Sequence, residues 1–83
     1  MSKQSKINKD LEKFYAKIGA NVAKKRIEKG VSQMELAHAI GHKSTTIISL
    51  AEISKTKHFN LEHLFKIAEY LEVDLCELLH DKK

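Results

Sequence analysis

The side chains that could hold a metal ion form two pairs. Cys76 and His80 are four residues apart, as are His38 and His42, so each pair would share one face of a helix. Two ligands do not complete a tetrahedral site. Cys76 is also the only cysteine, which excludes an intrachain disulfide. We therefore predict no bound metal and no other cofactor.

No arrangement of side chains predicts catalysis. The sequence has no serine, cysteine or carboxylate pair in a motif that activates a nucleophile, and no glycine-rich loop that could cradle a phosphate. A chain of 83 residues also leaves little room for a substrate cleft beside its core. We expect a binding protein rather than an enzyme.

The charge of the chain is unevenly distributed. Residues 1–30 carry nine Lys and Arg against three Asp and Glu, residues 31–83 carry six against eight, and the net charge is +4. This asymmetry fits a polyanion on one side of the molecule and a partner chain on the other. The first lysines form either a DNA-binding arm or a solvated face, and the sequence leaves both open: Lys3, Lys6, Lys9 and Lys13.

The elements that must position these charges are predicted to be helices. The chain has no proline, only three glycines, and abundant Ala, Leu, Ile, Lys and Glu. No apolar run approaches the roughly 20 residues that span a bilayer, so we expect a cytoplasmic protein with no membrane contact. The length predicts one all-α domain of about five helices at 18–80, after a basic helical extension at 1–17 and before a polar tail at 81–83.

A first helix is predicted over about residues 8–29. Its apolar residues recur at helical spacing: Ile7, Leu11, Phe14, Tyr15, Ile18 and Val22. Gly19 weakens a helix by roughly 1 kcal/mol relative to alanine, so this segment is one helix or two, and the sequence leaves that open. Gly30 after Lys29 predicts the C-terminal end.

Two short helices follow, joined by a glycine. Ser32, with Glu35 three residues later, predicts a capping box that opens a helix ending at Gly41. A second short helix at 44–52 has several candidate N-caps: Ser44, Thr45 and Thr46. Two short helices joined by a tight turn make a helix-turn-helix.

Two further helices are predicted after this unit. Asn60 can cap the first, but His63 stands where a capping box has Glu or Gln, so we expect no box there. Asp74 caps a short last helix. The apolar residues that could form either core or a dimer interface are Leu75, Leu78 and Leu79 with Ile7, Leu11 and Phe14.

The segment Ser32-Gln33-Met34-Glu35-Leu36-Ala37, after a basic helix and closed by Gly41, resembles the helix-turn-helix family of phage Cro and repressor proteins. The resemblance runs from about residue 18 to residue 79. It includes Arg26, Lys29-Gly30, Ile48-Ser49-Leu50-Ala51-Glu52, Leu61, Leu64, Ile67-Ala68, Leu71, Val73 and Leu78-Leu79. It implies a five-helix bundle of the phage repressor DNA-binding type at 18–80.

The chain departs from the family pattern in two places. Between Gly41 and Glu52 it has one residue more than the usual spacing, which predicts an enlarged turn around residues 42–43. This register buries Ile48 and Ala51, whereas the rival register buries Ile47 and Leu50. The usual glycine and proline are also missing from the loop at 53–59.

The resemblance implies that the second short helix enters the major groove of double-stranded DNA. The implied base-reading residues are Lys43, Ser44, Thr45, Thr46, Ser49 and Leu50. Hydroxyls bond many base edges and give no bidentate match, so Lys43 is the stronger reader. The implied phosphate contacts are Ser32, Gln33, Lys55, Lys57, His58 and Asn60, which set the register on the duplex.

By the same resemblance, Arg26 and Glu52 form an ion pair that ties the first helix to the third. The implied function is a transcriptional regulator, a repressor, that binds a palindromic operator as a homodimer. The sparse base-reading side chains keep an alternative open, in which the chain is an antitoxin or other protein-binding module. Its main partner would then be a toxin or another protein, and its DNA binding autoregulatory or lost.

Overall fold

A computed structural model of the protein describes residues 3–54 and 56–80. Five helices follow one another in this part of the chain: α1 at Lys3–Glu28, α2 at Gln33–Ala39, α3 at Thr46–Glu52, α4 at Leu61–Leu71 and α5 at Leu75–Leu79. The predicted all-α fold is confirmed. The boundary expected between the basic extension and the domain falls inside α1, so the two share one continuous helix.

Gly19 does not interrupt α1. It is buried where α1 crosses the C-terminal end of α3, and a Cβ atom at this position would collide with the Ala51 carbonyl oxygen and stand 2.7 Å from that of Glu52. Only glycine lets the two backbones approach this closely. The question that the sequence left open is therefore answered by packing between helices.

The predicted capping box and the predicted terminal glycines are present at the ends of α1 and α2. At the start of α2, Ser32 Oγ accepts from the Glu35 N–H at 3.0 Å, and Glu35 Oε1 accepts from the Ser32 N–H at 3.0 Å. Gly30 ends α1 with φ of 70° and Gly41 follows α2 with φ of 89°, both in the left-handed region that glycine tolerates. These turns set the angle between α1, α2 and α3.

The expectation of no capping box at α4 is wrong. Asn60 Oδ1 accepts from the His63 N–H at 2.7 Å, and the Asn60 N–H donates to His63 Nδ1 at 3.3 Å. An unprotonated imidazole nitrogen is a hydrogen-bond acceptor, so histidine takes the place that glutamate usually holds. At α5, the Asp74 N–H donates to Glu77 Oε2 at 3.1 Å.

The core is formed by side chains from all five helices and by Phe59. Ile48 and Ala51 are buried, while Ile47 and Leu50 are only partly covered, so the register with the enlarged turn is confirmed. The buried apolar residues are Ile18, Val22, Leu36, Ala37, Ile40, Ile48, Ala51, Phe59, Leu64, Ile67, Ala68, Leu71 and Leu78.

The structure corrects one of the three dimer-interface candidates on α5. Leu78 is 0 % exposed within its own chain, because α5 folds back onto α1 and α4 and inserts this side chain into the core. It has no surface to offer a partner. Leu75 and Leu79 pack against the same core and keep part of their surface.

No helix in the ranges 3–54 and 56–80 has the length and apolarity that crossing a membrane requires.

Candidate nucleic-acid interface

The helix expected to read DNA, α3, has one face in the core and one in solvent. Ile48, Ala51 and Glu52 point inward. Thr46 is exposed, and Ser49 and Leu50 are partly exposed on the opposite face. Lys43 and Ser44 are exposed just before the helix, and Thr45 is half-buried at its N-cap. The six predicted base-reading residues therefore form one continuous surface of the enlarged turn and α3.

Hydrogen bonds hold several hydroxyls of this surface in place. Ser49 Oγ donates to the Thr46 carbonyl at 3.3 Å, and Ser44 Oγ donates to Thr46 Oγ1 at 3.3 Å. Thr45 makes no side-chain capping bond. Thr46 Oγ1 accepts this bond, which leaves its own hydroxyl proton available to donate.

Ile53 belongs to the same surface and was missed by the sequence analysis. It is the C-cap of α3 and its side chain is 68 % exposed. It stands seven residues after Thr46, which places the two on one side of a helix, so helical spacing could have identified it. Together with Leu50 it gives the outward face an apolar part that fits the methyl group of thymine.

The predicted phosphate-binding residues flank this surface, and most are already engaged within the protein. Ser32 and Asn60 cap α2 and α4, so their remaining donors are the Ser32 hydroxyl and the Asn60 amide. Gln33 donates from Nε2 to Glu52 Oε1 at 3.1 Å. Lys57 is exposed. Lys55, the remaining predicted contact of this loop, lies outside the described residues.

His58 is fixed against α1. Its ring stacks on Tyr15 with a centroid distance of 3.9 Å and an interplanar angle of 7°, and its Nδ1 is 3.3 Å from Ser54 Oγ. The stack joins the loop after α3 to the middle of α1. His58 is exposed apart from this contact, so the other edge of its ring faces solvent.

Arg26 and Glu52 are in contact, as the resemblance implied. Arg26 Nε donates to Glu52 Oε2 at 2.7 Å and Nη2 donates to Oε1 at 3.2 Å, which makes the pair bidentate. Arg26 Nη1 also donates to the Val31 carbonyl at 2.9 Å. With the bond from Gln33, the carboxylate joins α1, α2 and α3 at one point.

A pair of histidines links the enlarged turn to α4. His42 Nε2 and His63 Nε2 are 3.4 Å apart. Because His63 Nδ1 accepts from the Asn60 N–H, neutral His63 carries its proton on Nε2 and donates it to His42. Burial lowers the pKa of His63 below its ordinary value of 6.5, and the neighbouring His42 lowers it further.

The comparison with known protein families agrees with this architecture. A model of the helix-turn-helix family matches residues 22–78, which include the C-terminal end of α1, all of α2, α3 and α4, and most of α5. A search of curated proteins returns no match. The match covers more than half of the chain and includes every residue of the α2–α3 unit described above. The chain therefore belongs to the Cro/repressor-type helix-turn-helix family of DNA-binding transcriptional regulators.

Proposed function

We propose that this protein is a sequence-specific repressor that binds a palindromic operator as a homodimer. The observation that carries the proposal is the attachment of α3: Glu52 is bonded to Arg26 and Gln33, so the inward face is fixed from two neighbouring helices. A rigid scaffold that presents a polar and apolar outward face suits reading of base edges in the major groove.

Base recognition is assigned to two kinds of contact. Lys43 and Thr46 donate hydrogen bonds, and a lysine suits the acceptors of guanine. Leu50 and Ile53 contact thymine methyl groups. The proposed half-site therefore contains guanine beside one or more thymines.

Phosphate contacts are assigned to the residues that flank α3. Lys57 supplies a charge, and the Ser32 hydroxyl, the Asn60 amide and the free edge of His58 supply donors. The bonds that hold Ser32 and Asn60 in their caps fix these donors before DNA binds.

The location of the protein in the cytoplasm, which we expect from the sequence, remains a prediction.

The test is binding to pooled random duplexes at several salt concentrations, followed by selection of the tightest binders. Steep loss of affinity with salt and enrichment of a palindrome are expected, because counterion release and symmetric half-sites both follow from the proposal. Undetectable binding at low salt would refute it.

Charge reversal locates the interface. Lys43→Glu combined with Lys57→Glu is expected to abolish detectable operator binding and to make the remaining affinity less dependent on salt. The matched control is Lys24→Glu combined with Lys29→Glu, two exposed lysines outside the α2–α3 unit. Equal loss in the control would mean that net charge, rather than this surface, governs binding.

A second candidate function is supported by the exposed apolar side chains of α1. Ile7, Leu11 and Phe14 are each more than two-fifths exposed, which is unusual for residues on one face of a helix and fits contact with another protein. In an antitoxin-type module, the Lys43→Glu and Lys57→Glu changes would leave capture of that protein intact.

A further inference from the structure

The apolar stripe of α1 continues beyond the core of the molecule. We call residues 6–17 of α1 the arm. Within it, Ile7, Leu11 and Phe14 are 59 %, 44 % and 42 % exposed, whereas Ile18 and Val22 continue the same stripe and are buried. The arm therefore carries the exposed part of an apolar stripe whose remainder is packed in the core.

A second apolar strip lies beside the arm on α4. Leu61 and Phe65 are one helical turn apart and are 66 % and 61 % exposed. Leu61 lines a groove of about 420 Å³ together with Leu11 and Phe14 of the arm. The two strips therefore form one apolar patch that spans two helices.

The charges beside the two strips have opposite signs. Lys6, Lys9 and Lys13 follow one side of the arm at spacings of three and four residues, and Asp10 lies among them, so this side is basic in net charge. Glu62 and Glu69 stand seven residues apart along the side of α4 that carries the second strip. Glu62 also pairs with Lys66 of its own helix at 2.8 Å. One half of the patch is thus basic and the other acidic.

A patch with a basic and an acidic half is complementary to itself under a twofold rotation. The arm of one copy then meets the α4 strip of the other, and the same contact is made a second time. Lysines would face glutamates beside each of the two apolar contacts. A partner with a uniform charge would match only one half.

We infer that a second copy of this chain covers the patch, with each arm lying on the α4 strip of its partner. The inference rests on the proposed function, since a palindromic operator calls for a symmetric dimer, and it deepens that proposal by naming the interface. This interface lies on the arm and α4 rather than on the α5 leucines.

The test measures the dissociation constant of the dimer by sedimentation equilibrium without DNA, for the full wild-type chain and for its variants. Leu11→Asn with Phe14→Asn is expected to raise it tenfold or more, because both apolar anchors of the arm are removed. The matched control is Ile27→Asn, an isoleucine of α1 that is 66 % exposed on the opposite side of the helix, and it should leave the dimer unchanged. A monomeric wild-type chain, or a dimer insensitive to the arm variant, would overturn the inference.

A charge exchange tests which surfaces meet. Two double variants are expected to weaken the homodimer. The first is Lys9→Glu with Lys13→Glu on the arm, and the second is Glu62→Lys with Glu69→Lys on α4. A mixture of the two variants should form heterodimers, since both reciprocal contacts then join opposite charges. Failure of the mixture to associate would overturn the pairing, with circular dichroism showing that both variants are folded.

DNA binding is scored separately. A dimer that responds to the arm variants but binds no duplex refutes the proposed operator function and leaves this interface standing. An arm variant that keeps half-site affinity and loses preference for the full palindrome supports both.

Discussion

Glu52 is the one buried charged side chain among the described residues, and it is bonded to Arg26 and Gln33. These bonds determine how much the free energy of unfolding falls when one partner is removed. Removing one partner of a buried pair leaves the other charge uncompensated in the core, whereas removing both is far less costly. Substitutions at Arg26 and Glu52 therefore test how α3 is held in place.

We predict that Arg26→Met lowers the free energy of unfolding by about 3–5 kcal/mol. The double variant Arg26→Met with Glu52→Met should recover much of this loss, because no buried charge remains. Urea denaturation of the wild type, both single variants and the double variant measures the coupling. Additive effects of the two substitutions would contradict the pairing.

His63 makes the stability of the fold dependent on pH. Protonation would place a proton on Nδ1 against the Asn60 N–H and break the capping box of α4. The charges near the ring act in both directions: His42 and Lys66 lower its pKa, while Glu62 raises it. Burial is the largest influence, and the pKa in the folded state lies below the ordinary value of 6.5.

The unfolded chain therefore takes up this proton first as the pH falls, so stability is lost on acidification below about 6.5. His63→Gln keeps an acceptor for the capping box and should reduce the loss of stability between neutral pH and about pH 5. The control is His38→Gln, on an exposed side chain of α2. Urea denaturation at a series of pH values measures both, and an unchanged slope in the His63 variant would exclude this role.

At the scale of the helix, Gly19 shows how packing between elements overrides local preference. Alanine is the better helix former by roughly 1 kcal/mol, yet its Cβ would collide with the carbonyl of Ala51. We predict that Gly19→Ala destabilises the protein by about 1–3 kcal/mol, as overpacking of a core does. Thermal unfolding measures it, and Ala16→Gly in the exposed arm provides the propensity control. A more stable Gly19→Ala variant would show that the crossing can open.

The C-terminal end of α4 gives the opposite case. Glu72 adopts φ of 58°, a left-handed conformation at the position where helices most often place glycine. Glu72→Gly is expected to raise the free energy of unfolding by about 0.5–1 kcal/mol, because glycine adopts this conformation without a steric penalty. Chemical denaturation measures the change. A loss of stability would show that the side chain of Glu72 has a role that its exposed position does not reveal.

At the scale of the whole molecule, the arm is a long exposed stretch, in which only Tyr15 of residues 6–17 is partly buried. Its amide hydrogens should exchange faster than those around Val22, because few buried contacts oppose opening of the helix there. If a second copy covers the arm, exchange at residues 6–14 slows as the protein concentration rises, while exchange around Val22 does not. Hydrogen exchange measured at several protein concentrations tests this, and no dependence on concentration would count against the dimer interface.

The sequence was most informative where one local signal decides the structure. The Ser32–Glu35 box, Gly30 and Gly41 each act within a few residues, so the limits of α2 could be predicted. The burial of Ile48 over Ile47 could be predicted as well, because the family pattern fixes the register through Glu52.

The sequence left a question open, or gave the wrong answer, where the outcome depends on a distant neighbour. Whether Gly19 breaks α1 depends on α3, and the burial of Leu78 depends on how α5 folds back on α1. The capping role of His63 depends on its tautomer, which residue type alone does not set. Ile53 was missed for a simpler reason, since the family pattern ended one residue before it.

The main-chain contact at Gly19 has a consequence for how such a protein could change its target. The orientation of α3 is set by backbone atoms and by the inward carboxylate, and neither involves the side chains at residues 46, 49, 50 and 53. Those four positions can therefore vary while the orientation of α3 in the fold stays the same. New operator preferences could arise by substitution at the outer face alone, and a library confined to these positions is where altered specificity should be sought.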